Sequence, residues 1–269
     1  EQNFPGAETI TLNRNYRSDG NILSAANALI AYNKNRVKKD LYTESQPGEP
    51  VRWLHLRTEE EEGKAISTEI KKLISQGFSY RNIAILYRAG FLSRFVESAL
   101  GSAHIPYELY GSVRFYDRME IKDALAYMRL VVFDDDEAFE RVINLPRRNF
   151  GKSRLAALKA MAEESGQSLF AALKASIDNK LFSSTGAPGF IELIDSLRKE
   201  KDNLSVSALL GEALGRSGYE DYIRAAGSME RLDNLAELKR SLWNREQAWG
   251  EKMTPSQWLD LIDIEAAEE

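Results

Sequence analysis

The first half of the chain alternates between short apolar runs and longer segments in which apolar residues recur every three to four positions. β-Favouring runs cover residues 9–12, 51–56, 83–86 and 107–110. Helical spacing covers residues 19–33, 58–76 and 91–100. Because strands and helices alternate, and the run at 83–86 is apolar throughout, the pattern predicts an α/β domain whose parallel sheet is covered on both faces.

Capping residues mark the ends of two predicted helices. Thr58 followed by Glu61 has the spacing of a capping box, and Gly77 ends the same helix. Asp117 followed by Glu120 repeats that spacing before a helix that extends to about residue 132. These residues locate helix ends independently of the apolar spacing.

From residue 137 onward, every periodic segment has helical spacing. The predicted helices cover residues 137–143, 152–164, 168–175, 190–199, 206–216, 229–249 and 254–264. An acidic run at residues 134–136 precedes them and marks a boundary. The sequence therefore predicts an α/β domain over residues 1–134 and an all-α domain over residues 135–269.

Composition narrows the range of chemistry open to the chain. The 269 residues include no cysteine and only two histidines, His55 and His104. Disulfides and thiolate metal sites are therefore excluded, and a histidine-rich metal site is disfavoured. No apolar run has the length of a membrane span and no signal peptide opens the chain, so we expect a cytoplasmic protein without membrane contact.

Basic residues are concentrated in two regions of a chain whose net charge is -5. Residues 141–159 contain six basic residues and no acidic one, and residues 14–39 contain six basic residues and one acidic one. Because charge distribution matters more than net charge, these regions are candidates for phosphate contacts.

The sequence Asn-Tyr-Arg-Ser at residues 15–18 precedes the first predicted helix, with Ser18 in the N-cap position. Tyr16 and Arg17 thus lie at a strand-to-helix turn, where open α/β sheets bind ligands. A ring can stack on a base, and a guanidinium can reach a phosphate. The alternative is that Tyr16 packs under the helix and Arg17 pairs with a surface carboxylate. The helix carries one of two apolar stripes: Ile22, Ala26 and Leu29, or Leu23, Ala26 and Ile30.

A second candidate site lies at residues 110–123, where a glycine turn, aromatic residues and basic residues precede a helix. Gly111, Arg114, Phe115 and Arg118 have the character of a single-strand contact, because rings stack on bases while cations hold phosphates. The alternative is an ordinary strand-to-helix connection with Phe115 in the core.

A third candidate site is the basic turn at residues 144–153. Its candidate phosphate contacts are Arg147, Arg148, Asn149, Gly151 and Lys152. Backbone N–H groups at a helix N-terminus hold phosphates whatever the base sequence, and asparagine tolerates the left-handed conformation that such a turn requires. The alternative is a solvated basic turn without a ligand.

Gly151-Lys152-Ser153 has the last three residues of a P-loop, but the rest of that motif is missing. The P-loop needs a glycine five residues before Gly151, and that position is Pro146. The segment before it also has helical and not strand character. The chain therefore has no phosphate cradle of its own.

These motifs together resemble, in order, those of the UvrD/PcrA/Rep group of superfamily I DNA helicases. Residues 15–27 are similar to motif IV, in which the tyrosine stacks on the adenine of ATP and the arginine reaches the γ-phosphate as an arginine finger. The resemblance implies these roles for Tyr16 and for Arg17, which would be catalytic and would also bind the cofactor.

The same resemblance implies DNA contacts. Residues 110–123 are similar to motif IVa, a segment associated with single-stranded DNA. Residues 146–151 resemble the Pro-x-Arg-Gly-Ile-Gly segment that grips duplex DNA, with Asn149 and Phe150 replacing a glycine and an isoleucine. Ser217 and Gly218 resemble the Ser-Gly-Tyr turn of the helical insertion, with a possible duplex contact.

The resemblance further implies an incomplete second RecA-like motor domain followed by its helical insertion. ATP with Mg²⁺ would be the cofactor, but the P-loop, the Mg²⁺ ligands and motifs V and VI would lie outside this chain. The first motor domain in cis, both forms of DNA, and repair or replication proteins would be its partners. The missing initiator methionine and the acidic end favour a piece of a longer protein, inactive alone. The alternative is a catalytically silent DNA-binding or protein-docking module.

Overall fold

The computed structural model describes residues 10–34, 39–110, 113–249 and 252–268, with side chains in the last range to Ile264. The chain divides into two compact units, Glu1–Arg57 and Thr58–Glu269. The predicted boundary at residue 134 lies inside the second unit, so the division into residues 1–134 and 135–269 stays a prediction.

The first unit is organised around helix α1 (Gly20–Ile30) and the segment that lies beside it. The side chain of Asn27 donates to the carbonyl of Leu41 over 2.8 Å and accepts from its N–H over 3.2 Å. The N–H of Asn15 donates to the carbonyl of Tyr42 over 2.8 Å, which forms an isolated parallel bridge. These bonds place the Tyr16 turn beside the start of α1.

The apolar face of α1 is mostly exposed. Leu23 is the buried residue of this helix, whereas Ile22, Leu29 and Ile30 are 50%, 76% and 43% exposed. The predicted apolar stripe is therefore wrong as a description of buried contacts. In the described part of this unit, no sheet lies against the helix to cover it.

The second unit is built from helices. Its α-helices are α2 (Glu59–Ser75), α3 (Ser93–Ser102), α4 (Met119–Phe133), α5 (Asp136–Val142), α6 (Lys152–Ser165), α7 (Leu169–Ala175), α8 (Lys180–Ser183), α9 (Ala187–Glu200), α10 (Val206–Arg216), α11 (Tyr219–Ala225), α12 (Met229–Ala248) and α13 (Pro255–Glu268). Short 3-10 turns occur at Tyr80–Asn82, Gly90–Leu92 and Phe115–Asp117. Within the described ranges, every helix is too short or too polar to cross a lipid bilayer.

The predicted parallel sheet is not confirmed. In the described parts of the chain, the runs at 51–56, 83–86 and 107–110 belong to no β-ladder, and the bridge at Tyr42 is isolated. Trp53 and Leu86 are 81% and 93% exposed. A strand in a parallel sheet needs hydrogen-bonded neighbours and cover on both faces, and the described residues supply neither to these runs.

Two separate apolar clusters stabilise the second unit. The smaller joins α2 to α3 through Ile70, Val96, Leu100 and Ile105. The larger begins at the 3-10 turn Phe115–Asp117, continues through α4 and includes residues from α5 to α13. α4 is buried around most of its circumference, which confirms the predicted core positions there.

Helix ends agree with the sequence in one case and differ in the other. The N–H of Glu61 donates to Oγ1 of Thr58 over 3.2 Å, and Gly77 has φ +94°, so both ends of α2 are confirmed. The predicted capping box before α4 is wrong. Asp117 instead pairs with Lys122 over 2.6 Å, and α4 begins at Met119 without a side-chain cap.

The later helices match the prediction to within a few residues, and two further helices were missed. α8 has four residues and α11 has seven, so neither shows a complete apolar period. α13 begins with the predicted capping box, because the N–H of Thr254 donates to Oε1 of Gln257 over 2.9 Å and the N–H of Gln257 donates back to Oγ1 of Thr254.

Candidate nucleotide and nucleic-acid contact sites

The turn before α1 is shaped by the side chain of Asn15. Its Oδ1 accepts from the N–H of Arg17 over 2.9 Å and from the N–H of Ser18 over 2.8 Å. This is the Asx-turn pattern, in which a side-chain oxygen replaces a backbone acceptor. α1 then begins at Gly20 with Asp19 as the N-cap, so the predicted N-cap at Ser18 is wrong by one residue.

Tyr16 and Arg17 are both exposed on this turn. The side chain of Tyr16 is 80% exposed, and the guanidinium carbon of Arg14 lies 4.8 Å from the centre of its ring. Arg14 also pairs with Glu44. Arg17 forms no ion pair within the described residues. The alternative in which Tyr16 packs under the helix is therefore wrong, and no carboxylate in the described part of the chain pairs with Arg17.

Phe115 and Arg118 of the second candidate site are buried. Phe115 is fully buried and Arg118 is 8% exposed, with its guanidinium carbon 5.3 Å from the centre of the Phe115 ring. Nη2 of Arg118 donates to Oγ of Ser93 and to the carbonyl of Gly90. Neither side chain is available to a DNA strand, which corrects the prediction for these two residues.

The other two predicted residues of this site are Arg114 and Gly111. Arg114 is exposed and occupies the N-cap position of the 3-10 turn Phe115–Asp117 without a side-chain capping bond. Gly111 lies outside the described residues. Of the two arginines predicted to contact a strand here, Arg114 is therefore the one that a strand can reach.

The basic turn at 144–153 has the backbone geometry that the sequence predicted. Asn149 has φ +57°, in the left-handed region. Oδ1 of Asn144 accepts from the N–H of Arg148 over 2.8 Å and from the N–H of Phe150 over 3.1 Å, which holds the turn closed. Gly151 then forms the N-cap of α6.

Exposure divides the candidate residues of this turn. Arg147, Asn149, Gly151 and Lys152 are exposed beside the N-terminus of α6. That arrangement presents cations and free backbone N–H groups to solvent together, as an anion site requires.

Arg148 points inward and joins this turn to the turn at Ser217. Its Nη2 donates to the carbonyl of Ser217 and to the hydroxyl of Tyr127, both over 3.1 Å. Its guanidinium carbon lies 5.0 Å from the centre of the Phe190 ring. Arg148 therefore braces the turn, which corrects the prediction that it contacts DNA.

The turn at Ser217 and Gly218 lies next to the basic turn. Gly218 has φ +75°, and a Cβ there would lie 3.9 Å from Cγ of Pro146. Both Ser217 and Gly218 are partly buried. Arg148 and Ser217 are 69 residues apart in the chain. Tertiary structure therefore brings together two turns that are distant in sequence.

A buried polar network behind these turns was missed by sequence reasoning. The hydroxyl of Tyr219 donates to Asp123, which also accepts from Nε of Arg141 over 2.7 Å. Arg231 donates to the hydroxyl of Tyr219 over 3.2 Å. Burial raises the pKa of Tyr219, and the bond to Asp123 raises it further. No local sequence pattern connects Tyr219 to Asp123, because 96 residues separate them in the chain.

Comparison with known proteins places the chain in a family. Residues 10–262 match the UvrD-like helicase C-terminal domain. The chain is 38% identical to the ATP-dependent DNA helicase PcrA of Staphylococcus epidermidis over 245 residues, which is 88% of this chain and 34% of that protein. It is 37% identical to DNA helicase II of Escherichia coli over 278 residues, which is 98% of this chain and 38% of that protein. The chain thus spans about a third of the length of these curated relatives.

Proposed function

The chain belongs to the UvrD-like helicase C-terminal domain family, and from that premise we propose that it is one part of an ATP-driven DNA helicase. In this role it carries the first part of the second motor domain and its helical insertion. It moves along DNA with 3′-to-5′ polarity only when joined to the first motor domain. Repair or replication proteins are its proposed partners.

The exposed pair Tyr16 and Arg17 is the observation that carries this proposal. One face of the Tyr16 ring lies against Arg14, and the side chain remains 80% exposed, which suits stacking of an adenine on the other face. The Asx turn holds the N–H groups of Arg17 and Ser18, and no described carboxylate pairs with the Arg17 guanidinium, which suits contact with a phosphate.

ATP, when bound, supplies the phosphoryl group whose transfer drives translocation. This chain contributes Tyr16 to hold the base and Arg17 to stabilise charge on the transferred group. An arginine in that role raises turnover by about 10³- to 10⁵-fold in other NTPases. The phosphate cradle and the Mg²⁺ ligands are proposed to lie in the first motor domain, so the chain alone hydrolyses no ATP.

The DNA contacts are proposed for the exposed cations of the second unit. Arg114 holds the single strand through its phosphates. Arg147, Lys152 and the backbone of Asn149 and Gly151 hold duplex phosphates at the N-terminus of α6. Ser217 supports that turn from behind through its carbonyl bond to Arg148, and Gly218 lies beside Pro146 of the same turn.

The test is Arg17→Ala in the complete helicase that contains this chain. Turnover of ATP should be abolished while DNA affinity changes little, because Arg17 contacts phosphate only in the nucleotide site. Arg224→Ala, which removes an exposed arginine paired with Asp221, is the matched control and should keep wild-type turnover. Normal turnover in Arg17→Ala would remove the proposed role, and Mg²⁺-dependent turnover by the chain alone would contradict the proposed division of labour.

A second candidate function is a silent DNA-binding or docking module, favoured by the exposed basic turn at residues 147–152. Salt titration of duplex binding distinguishes a DNA-binding module from a protein-docking module. Phosphate contacts make affinity fall steeply as salt rises, whereas weak binding that is flat with salt indicates docking to a protein.

A further inference from the structure

A cleft of about 690 Å³ lies between α2, α3 and α12, on residues that none of the sites above uses. Its floor is formed where α2 and α3 meet, because a Cβ at Gly63 would lie only 2.6 Å from Cβ of Ala99. Oγ of Ser67 donates to the carbonyls of Gly63 and Ala99 there, over 2.9 and 3.2 Å. The two helices thus close the floor, and the Ser67 hydroxyl there is already hydrogen-bonded.

The walls of the cleft carry hydroxyl groups and charges in place of the apolar lining that is usual for small-molecule sites. Ser98 and Ser102 of α3 face it from one side, and Ser241 and Asn244 of α12 face it from another. Phe95 is its only aromatic lining residue among those described. Such a lining suits a charged ligand recognised without base stacking.

Lys64 and Lys71 supply the available positive charge. Both lysines line the cleft from α2, and neither forms an ion pair within the described residues. They are seven residues apart, so they share one face of the helix and are about 10.5 Å apart along its axis. Lys72, the next residue, pairs with Glu69 over 3.3 Å and does not line the cleft.

The remaining charges at the cleft are largely neutralised. Arg94 pairs with Glu237 over 2.6 Å, and Glu59 pairs with Arg240 over 2.5 Å. Glu60 is the other acidic lining residue, at the N-terminal end of α2. Lys64 and Lys71 thus outnumber Glu60 among the lining charges that form no ion pair within the described residues.

We propose that this cleft binds the phosphates of a single nucleic-acid strand. Two lysines about 10.5 Å apart along the helix axis, neither paired with a described carboxylate, can contact separate phosphates of one strand. Serine hydroxyls and Asn244 donate to phosphate oxygens between them. Because the lining offers no stack of rings, binding is independent of base sequence. This site is separate from the nucleotide turn and from the basic turn, so it does not depend on the proposed function.

The experiment is a salt titration of the full chain with a fluorescent oligothymidine strand. Each phosphate contact contributes about 0.7 to the slope of log affinity against log salt for a single strand, so Lys64→Ala/Lys71→Ala should lower that slope by about 1.4. Lys72→Ala/Lys199→Ala removes the same charge from exposed positions outside the cleft and should change the slope little. Equal loss in both double variants would overturn the proposal.

Location is tested by fluorophore labelling, which is simple because the chain contains no cysteine. A dye attached to Ser98→Cys in the cleft should respond to the strand, whereas a dye at exposed Ser184→Cys on the surface should not. Equal responses would overturn the site. If ATP or inorganic phosphate produces the Ser98 response and the strand does not, the cleft is a small-phosphate site and the strand proposal is wrong.

Discussion

Arg118 donates a hydrogen bond of 2.8 Å from Nη1 to Oδ1 of Asn234, although 116 residues separate the two in the chain. The same guanidinium reaches Ser93 at the start of α3 and the carbonyl of Gly90. Arg118 therefore connects α12 to the segment before α3. Arg118 thus contributes to the polar contacts between the larger core and the α2–α3 pair, together with the ion pairs of Arg94 with Glu237 and of Arg240 with Glu59.

Replacing Arg118 tests this connection. Arg118→Ala should lower the free energy of unfolding by about 3 kcal/mol, because it leaves the buried acceptors of Asn234, Ser93 and Gly90 without their charged donor. Urea unfolding measures the change. Arg114→Ala, which removes an exposed arginine four residues earlier, should stay within about 0.5 kcal/mol of wild type. Similar small losses in both variants would show that Arg118 is solvated and available to DNA after all.

Close packing of α2 on α3 makes a second prediction. Gly63→Ala should lower the free energy of unfolding by about 1 kcal/mol, because overpacking against Ala99 costs about 1–3 kcal/mol and better helix propensity returns up to about 1. Gly211→Ala in α10, where a Cβ would have no atom within 4 Å, should raise it. Thermal unfolding should therefore show a lower stability for Gly63→Ala and a higher stability for Gly211→Ala than for the wild type. Stabilisation by Gly63→Ala would contradict the close approach.

The left-handed turn residue of the basic segment makes a third prediction. Asn149→Gly should keep wild-type stability, while Asn149→Val should lose about 1–2 kcal/mol, because a β-branched residue is strained at φ +57°. Asn203→Val, in an exposed turn outside the left-handed region, is the control and should cost less than about 0.5 kcal/mol. Thermal unfolding measures all three. Equal losses at positions 149 and 203 would show that the turn adopts another conformation.

The buried hydroxyl of Tyr219 makes stability depend on alkaline pH. Its pKa is raised in the folded protein by burial and by Asp123, so the folded state keeps this proton after the unfolded state has lost it. The contribution is complete below pH about 10, the ordinary tyrosine pKa, and is lost as pH rises above it, by about 1.4 kcal/mol per unit. Urea unfolding between about pH 9 and about pH 11 measures this loss.

Two variants separate this effect from general alkaline unfolding. Tyr219→Phe should be less stable near neutral pH, because Asp123 loses a donor, but its stability should fall less steeply above pH about 10. Tyr222 is 41% exposed, so Tyr222→Phe should keep the wild-type slope of stability against pH. The assignment is wrong if Tyr219→Phe retains that slope.

Local signals in the sequence determined the features that depend on neighbouring residues. The cap of Thr58, the terminating Gly77 and the left-handed Asn149 all follow from backbone preferences within a few positions. Most helices of the second half were located because their apolar spacing repeats over two or more turns. The motifs at residues 15–27, 110–123 and 146–151 together indicated the family, and the match over residues 10–262 confirms it.

Tertiary structure alone decided which of the charged and aromatic residues are available. Arg114 and Arg118 are alike in sequence, as are Arg147 and Arg148, yet one of each pair is exposed and the other is held inward. The difference arises from partners about 70 to 120 residues away, such as Ser217 and Asn234, which no local pattern reveals. The apolar runs show the same limit, because a strand forms only where neighbouring strands are present to pair with it.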